Sequence, residues 1–295
     1  MAVSISTRGI APSSNSPQGL HLPGDPGRPL TLSYGAGRTA RIIGALLLAG
    51  WFALPFLPLA LWSFADRWSF PSPIPTTWGL SGAASAFQQG GLSAFAHSLA
   101  LGLAVAAIAT PLGAIAARAL ASGWAPFPHV LTWLLFAPVA LPPFAAVLGV
   151  NVLLLRAYVP PLIGLVLVLV VVAIPYTTFS MRVAYAAHDT GFEEEARTLG
   201  ASKQHVLWKV HVPLLAPALA RSAFLAFLVG WSDYIVTVVV GGGQIVTVPL
   251  VTASAAAGIG NDAVVAILSL SAVIPPVVLI ALLARTGRLY RGGGA

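Results

Sequence analysis

The sequence predicts an all-α, polytopic membrane protein with six transmembrane helices. Composition is the first reason: 57% of the 295 residues are apolar and 8% are charged, where soluble domains run near a quarter charged. The second is the presence of six apolar stretches. Each is long enough to cross a hydrocarbon core of about 30 Å, which takes about 20 residues as helix. The third is the placement of the basic residues, which favours one side of those stretches throughout.

Residues 1–38 are rich in Ser, Pro and Gly and show no hydrophobic periodicity. They read as a disordered polar tail. The first apolar stretch, Ile42–Phe64, is too long for a typical signal-peptide core and is expected to be a retained helix. With its external loop it makes a segment over 39–86. The following spans are expected at Ser93–Ala117, Val130–Leu155, Leu162–Val183, Pro217–Val240 and Ala263–Ala284, within a core domain over 87–284. Pro142-Pro143 and Pro275-Pro276 should break the third and sixth spans. Such breaks either line a cavity or are repacked by neighbouring helices.

Of the fifteen Lys and Arg residues, all but Arg67 and Arg156 fall on one side of these spans. The positive-inside rule makes that side cytoplasmic, with both termini inside and residues 285–295 a basic tail. Beside hydrophobic runs the net charge of +7 reads as orientation in a lipid bilayer, not as a nucleic-acid surface. The absence of Cys excludes disulfides and thiolate chemistry. The histidines show no metal-ligand pairing, no catalytic set converges, and no cofactor is expected.

One loop, residues 188–217, is polar. Thr190 and Glu193 form a capping box, so a helix should begin near Gly191. Glu193, Glu194 and Glu195 occupy its first turns, where the helix dipole favours acids. Gly200 is a natural terminator, and Ser202 can cap a second helix toward Val212 with Val206, Leu207 and Val210 on one face. Pro213 should break the chain before the fifth span. Such a hairpin is either a docking knob or a solvated link.

In the fifth span, Asp233 between Trp231 and Tyr234 is a candidate pathway acid. The alternative is a carboxylate paired or placed at the outer interface, with Trp231 and Tyr234 as interfacial aromatics. Gly241-Gly242-Gly243 reads as a flexible turn.

The polar loop resembles the EAA loop of ABC-importer permeases: E-A-A, three residues, Gly, nine residues, I-x-L-P. Here Glu194-Glu195-Ala196 is followed by three residues and Gly200, and nine more lead to Val210-His211-Val212-Pro213. Glu195 replaces the first Ala, Val210 the Ile and Val212 the Leu. The resemblance implies a type I ABC-importer permease fold in a bacterial inner membrane. It implies coupling through Glu194, Glu195, Ala196, Gly200, Val210 and Pro213 to a pair of cytoplasmic ATP-binding subunits. A second permease subunit and an external solute-binding protein would complete the assembly. No G-x-x-x-x-G-K-[ST] pattern occurs in the chain, so hydrolysis is expected on another polypeptide; the chain itself is expected to be a transport subunit and not an enzyme. The stretch from Trp231 to Leu250 resembles spermidine/putrescine-type permeases, which implies a small polar or cationic solute. Related permeases for thiamine, aminophosphonates or ferric iron share much of this stretch. An ion-gradient-driven transporter is a further alternative, and would show internal repeats and more intramembrane charges.

Overall fold

Long apolar runs lacking β-alternation build helices, and helices make up most of the described chain. The structure is a computed structural model that describes residues 34–292 apart from 70, 124 and 188–190; side chains 34–38, 139 and 286–292 are also outside the description. The polar tail over 1–33, Thr190, and the side chains of Arg288 and Arg291 therefore lie outside the described residues. The chain forms two units, 1–52 and 53–295. In the first, α1 runs from Tyr34 to Ala53 at its boundary.

In the second unit the helices are α2 (Phe56–Ser63), α3 (Ser81–Gln88), α4 (Gly91–Ala121), α5 (Pro128–Ala140), α6 (Pro143–Arg156) and α7 (Pro161–Ala186). They continue as α8 (Gly191–Thr198), α9 (Lys203–Val206), a π turn over Leu207–His211, α10 (Val212–Ser232), α11 (Ile235–Gly241), α12 (Val248–Ala256) and α13 (Asp262–Gly292). Among the described residues the strands are limited to a two-stranded antiparallel ribbon, β1 (Ala65–Arg67) with β2 (Thr77–Trp78). Asp66 fastens it to α3 by accepting from the Ser81 N–H at 3.0 Å and the Ser81 hydroxyl at 2.5 Å. Those bonds hold the Asp66 carboxyl below the usual carboxylate range.

Four continuous helices are long and apolar enough to cross a membrane: Gly91–Ala121, Pro161–Ala186, Lys203–Ser232 and Asp262–Arg285. The number reaches six if α1 with α2, and α5 with α6, each make one crossing. Helix α4 lies at the centre, packed on α7 and α10, while α13 covers α2, α3, α10 and α12. Small residues let these helices approach. A Cβ on Gly230 of α10 would meet the Gly102 Cα of α4 at 2.9 Å, and one on Gly113 of α4 would collide with Thr177 of α7. Close backbone approach of this kind is how membrane helices associate without a hydrophobic driving force between them. The outer faces expose large apolar side chains such as Ile115, Phe179 and Ile280, a surface suited to lipid and not to water.

The two Pro-Pro pairs behave oppositely. At Pro142-Pro143 the chain breaks and α5 and α6 meet at 94°, as expected. Leu141, preceding the pair, is extended (φ −80°, ψ 146°), the conformation a following proline imposes. At Pro275-Pro276 the expected break does not occur, and α13 runs through unbroken. Pro276 has no N–H for the Ala272 carbonyl, four residues earlier. The Trp231 indole N–H donates to that carbonyl at 2.9 Å instead.

Two further expectations are corrected. Pro213 does not break the chain: helix is continuous from Lys203 to Ser232. The π turn ends just before it, which places Pro213 in the first turn of α10, where an N–H is dispensable. The fifth span does not reach Val240; it ends at Ser232, because Asp233 is extended (φ −69°, ψ 136°). Asp233 opens a separate short helix, α11. Helix α11 occupies the outer part of the expected fifth span, and α12 fills the stretch after the glycine turn. At that turn Gly242 and Gly243 have φ of 56° and 78°, which glycine adopts freely.

Candidate functional site

Two places bring chemistry-bearing residues together: the polar hairpin at the end of the bundle where most basic residues lie, and a cavity near the opposite end of α10.

The hairpin is defined by its turn. Gly200 has φ +85°. The Gly200 N–H donates to the Arg197 carbonyl at 2.9 Å and the Ala201 N–H to the Ala196 carbonyl at 3.1 Å. This pair of bonds is a Schellman motif with glycine at the left-handed position. Nothing lies within 4 Å of a Cβ placed on Gly200, so the backbone angle demands glycine and crowding does not. Ser202 then caps α9, its hydroxyl accepting from the His205 N–H at 3.3 Å. Val206 is buried and Val210 half-buried, while Leu207 lies largely exposed.

Of the acidic run, Glu194 and Glu195 are exposed, Ala196 is half-buried, and Gly200 and Pro213 are exposed. Glu193 is buried, at 6% exposure. Its carboxylate accepts from His211 Nδ1 at 2.5 Å and from Arg118 Nη2 at 3.4 Å. His211 Nε2 lies 3.1 Å from the Tyr185 hydroxyl. The hairpin also exposes apolar side chains to solvent: Phe192 at 55%, Leu199 at 83% and Trp208 at 66%. Sequence reasoning missed these. Large apolar residues exposed on an otherwise polar loop were the available signal.

The cavity, of about 450 Å³, is enclosed by α5, α6, α7, α10 and α11. Its wall is aliphatic, with Pro138, Leu141 and Pro143 from the α5–α6 break and Val147, Val168 and Val236 beside them. Asp233 is the one charged side chain lining it among the described residues. The Asp233 carboxylate accepts from the Val236 N–H at 3.3 Å, the Thr237 N–H at 2.8 Å and the Thr237 hydroxyl at 3.0 Å. It therefore caps α11 while facing the cavity. Its two aromatic neighbours do not join it there. Trp231 is 3% exposed, packed edge-on against Phe95 and stacked on Phe227, so it is a core residue and not an interfacial one. Tyr234 is 44% exposed. Among the described residues no group of His, Asp and Glu is placed to hold a metal ion.

An apolar helical bundle with a folded polar hairpin at one end and a carboxylate-bearing cavity between its helices is the build of a membrane transport subunit. The chain belongs to the family of binding-protein-dependent transport system inner membrane components, which residues 109–286 match. It is 34% identical over 152 residues to a Streptomyces antibioticus protein named as an ABC transporter permease, ORF1, covering 47% of this chain and 61% of that one. It is 29% identical over 142 residues to the trehalose transport system permease protein SugB of Mycobacterium tuberculosis, covering 48% and 52%. It is 33% identical over 70 residues to the molybdate/tungstate transport system permease protein WtpB of Pyrococcus abyssi, covering 24% and 28%. The matched stretches thus span from about a quarter to three-fifths of these relatives. The family consists of transport components, not enzymes.

Proposed function

We propose that this chain is the membrane-spanning permease subunit of an ABC importer, coupling solute passage to ATP hydrolysis on separate subunits. Through the hairpin it engages a pair of cytoplasmic ATP-binding subunits. With a second permease subunit, identical or homologous, it forms the pathway, and an external solute-binding protein delivers the cargo. Glu194, Glu195, Ala196, Gly200, Val210 and Pro213 belong to the coupling loop. One observation carries the reading: the hairpin is folded about a bonded turn, yet turns Phe192, Glu194, Leu199 and Trp208 outward. A solvated link has no reason to present apolar side chains to water. The test is purification of the tagged chain from its own membranes. The unsubstituted chain should bring down an ATP-hydrolysing subunit, and Glu194→Lys should lower ATP-driven transport without loss of membrane insertion. Recovery of the chain with no ATPase, or unaltered transport in that variant, would refute the reading.

For the cargo we infer a small cationic solute of polyamine type. A carboxylate in an aliphatic wall attracts a cation and repels an oxyanion. The molybdate/tungstate named for one relative is thereby a less favoured chemistry. Asp233→Asn keeps an acceptor for the α11 N–H groups and deletes the charge. With radiolabelled spermidine as probe, uptake should fall by about tenfold or more on that substitution, the scale of one lost charge interaction of about 1.4 kcal/mol. Spermidine uptake that is absent from the unsubstituted importer, or insensitive to the change, rules out the cationic cargo.

A further inference from the structure

Glu193 is turned inward while the two glutamates after it face solvent, and the motif resemblance assigns it no role. An unpaired carboxylate is costly to bury, and this one has partners from two other elements, α4 and the π turn. His211 Nδ1 holds its Oε1 at 2.5 Å and Arg118 Nη2 stands 3.4 Å from its Oε2. His211 in turn lies 3.1 Å from the Tyr185 hydroxyl through Nε2, with the two rings stacked at 5.7 Å. Arg118 belongs to the last turn of α4, Tyr185 to the last turn of α7, and His211 to the start of the segment that becomes α10. The α8 helix is thereby joined to α4 directly, to α10 through His211, and to α7 through the His211–Tyr185 contact.

The π turn makes this possible. Val206 and His211 are both buried, yet positions five apart stand about 140° round an α-helix from one another. A turn closed by i→i+5 bonds brings them back toward one face. From His211 the inward stripe then continues with ordinary α spacing through Leu215, Ala218 and Ser222. Leu215 and Ala218 pack with Ala117 of α4 and Met181 of α7, and Tyr185 lies against this cluster. Two rigid stripes, one in the hairpin and one in the bundle, are put in phase at the residue that carries the imidazole.

We propose that Glu193 and His211 are positioning residues that fasten the coupling hairpin to α4, α7 and α10, so that displacement of α8 moves these helices as one body. The proposal rests on the coupling reading above. Without the fastener, α8 would hinge at its turn and the membrane helices would not follow.

The chain contains no cysteine, which allows a direct test in the intact complex purified through a tag on this chain. Val150 lines the cavity, so Val150→Cys reports on the pathway through its rate of modification by a cationic methanethiosulfonate. MgATP should change that rate by about fivefold or more in the Val150→Cys parent, the scale of a typical coupling free energy. Adding Glu193→Ala or His211→Ala should abolish the ATP-dependent change while ATP hydrolysis by the complex persists. His211→Asn retains a side-chain donor near the Nδ1 position and should restore the response; a role in folding alone would not follow this donor. Glu193→Gln, which keeps an acceptor for His211, should likewise retain the response, and serves as the readout if the alanine variants fail to insert. An undiminished ATP response in Glu193→Ala or His211→Ala, or loss of the response in Glu193→Gln and His211→Asn with hydrolysis intact, overturns the fastener and leaves the coupling reading standing. No ATP response in the parent removes the coupling reading and the fastener with it.

Discussion

Trp231 and Asp233 stand two residues apart and have separate tasks. The Trp231 indole completes the hydrogen bonding of a carbonyl that Pro276 leaves open on α13. Asp233 ends one helix and caps the next. From the sequence, Trp231 reads equally well as an interfacial aromatic, because the residue it serves lies 41 positions away. Trp231→Phe keeps the ring between Phe95 and Phe227 but leaves the Ala272 carbonyl without that donor. The expected cost is about 1–3 kcal/mol, that of an unsatisfied buried acceptor, seen as a lower thermal unfolding midpoint of the detergent-solubilised protein. A midpoint equal to that of the unsubstituted chain would show that the kink-prone region of α13 holds itself straight.

Among the elements, the hairpin was the most legible from sequence. Its terminator, its second cap and its acidic first turn are local signals, and the Schellman bonds at Gly200 and the Ser202 cap follow them. What local signals missed was the phase of the helix beyond. Pro213 reads as a breaker when considered alone, and the π turn before it removes the conflict. The inward turn of Glu193 was equally invisible, since its partners come from α4 and the π turn. Gly200 allows a graded test of the turn. Gly200→Asn should be tolerated, because Asn accepts the left-handed region. Gly200→Val should cost about 1–2 kcal/mol and reduce ATP-driven transport with insertion preserved. Equal transport by both variants would show that the turn angle is not under demand.

At the scale of the whole molecule, membrane class followed from hydropathy, because a lipid-spanning segment must satisfy its own backbone and be apolar along its length; of the six expected spans four are continuous helices, the number reaching six if each bent pair makes one crossing. The ends of the spans followed less well. The fifth stops at Ser232, since the Asp233 side chain competes for the N–H groups that would have continued the ladder. Orientation remains a reading of the basic residues and has a simple check in this cysteine-free chain. A thiol at Lys203→Cys should react with an impermeant maleimide from the cytoplasmic side, and one at Gln244→Cys from the outside. The reverse pattern would place the hairpin away from any cytoplasmic ATPase and remove the proposed function.

Composition, periodicity and short-range spacing by themselves determined the membrane class, the helical build, the position of the hairpin and the residues at its turn. Each of these depends on interactions within a few positions along the chain or on transfer into lipid, and both are written locally. Tertiary structure alone decided which Pro-Pro pair breaks its helix, which glutamate is buried, and which of Trp231, Asp233 and Tyr234 lines the cavity. Those outcomes depend on partners supplied by distant segments: the Trp231 indole for Ala272, and Arg118 and His211 for Glu193. A proline's empty hydrogen-bond position or a buried carboxylate is stable only where such a partner arrives.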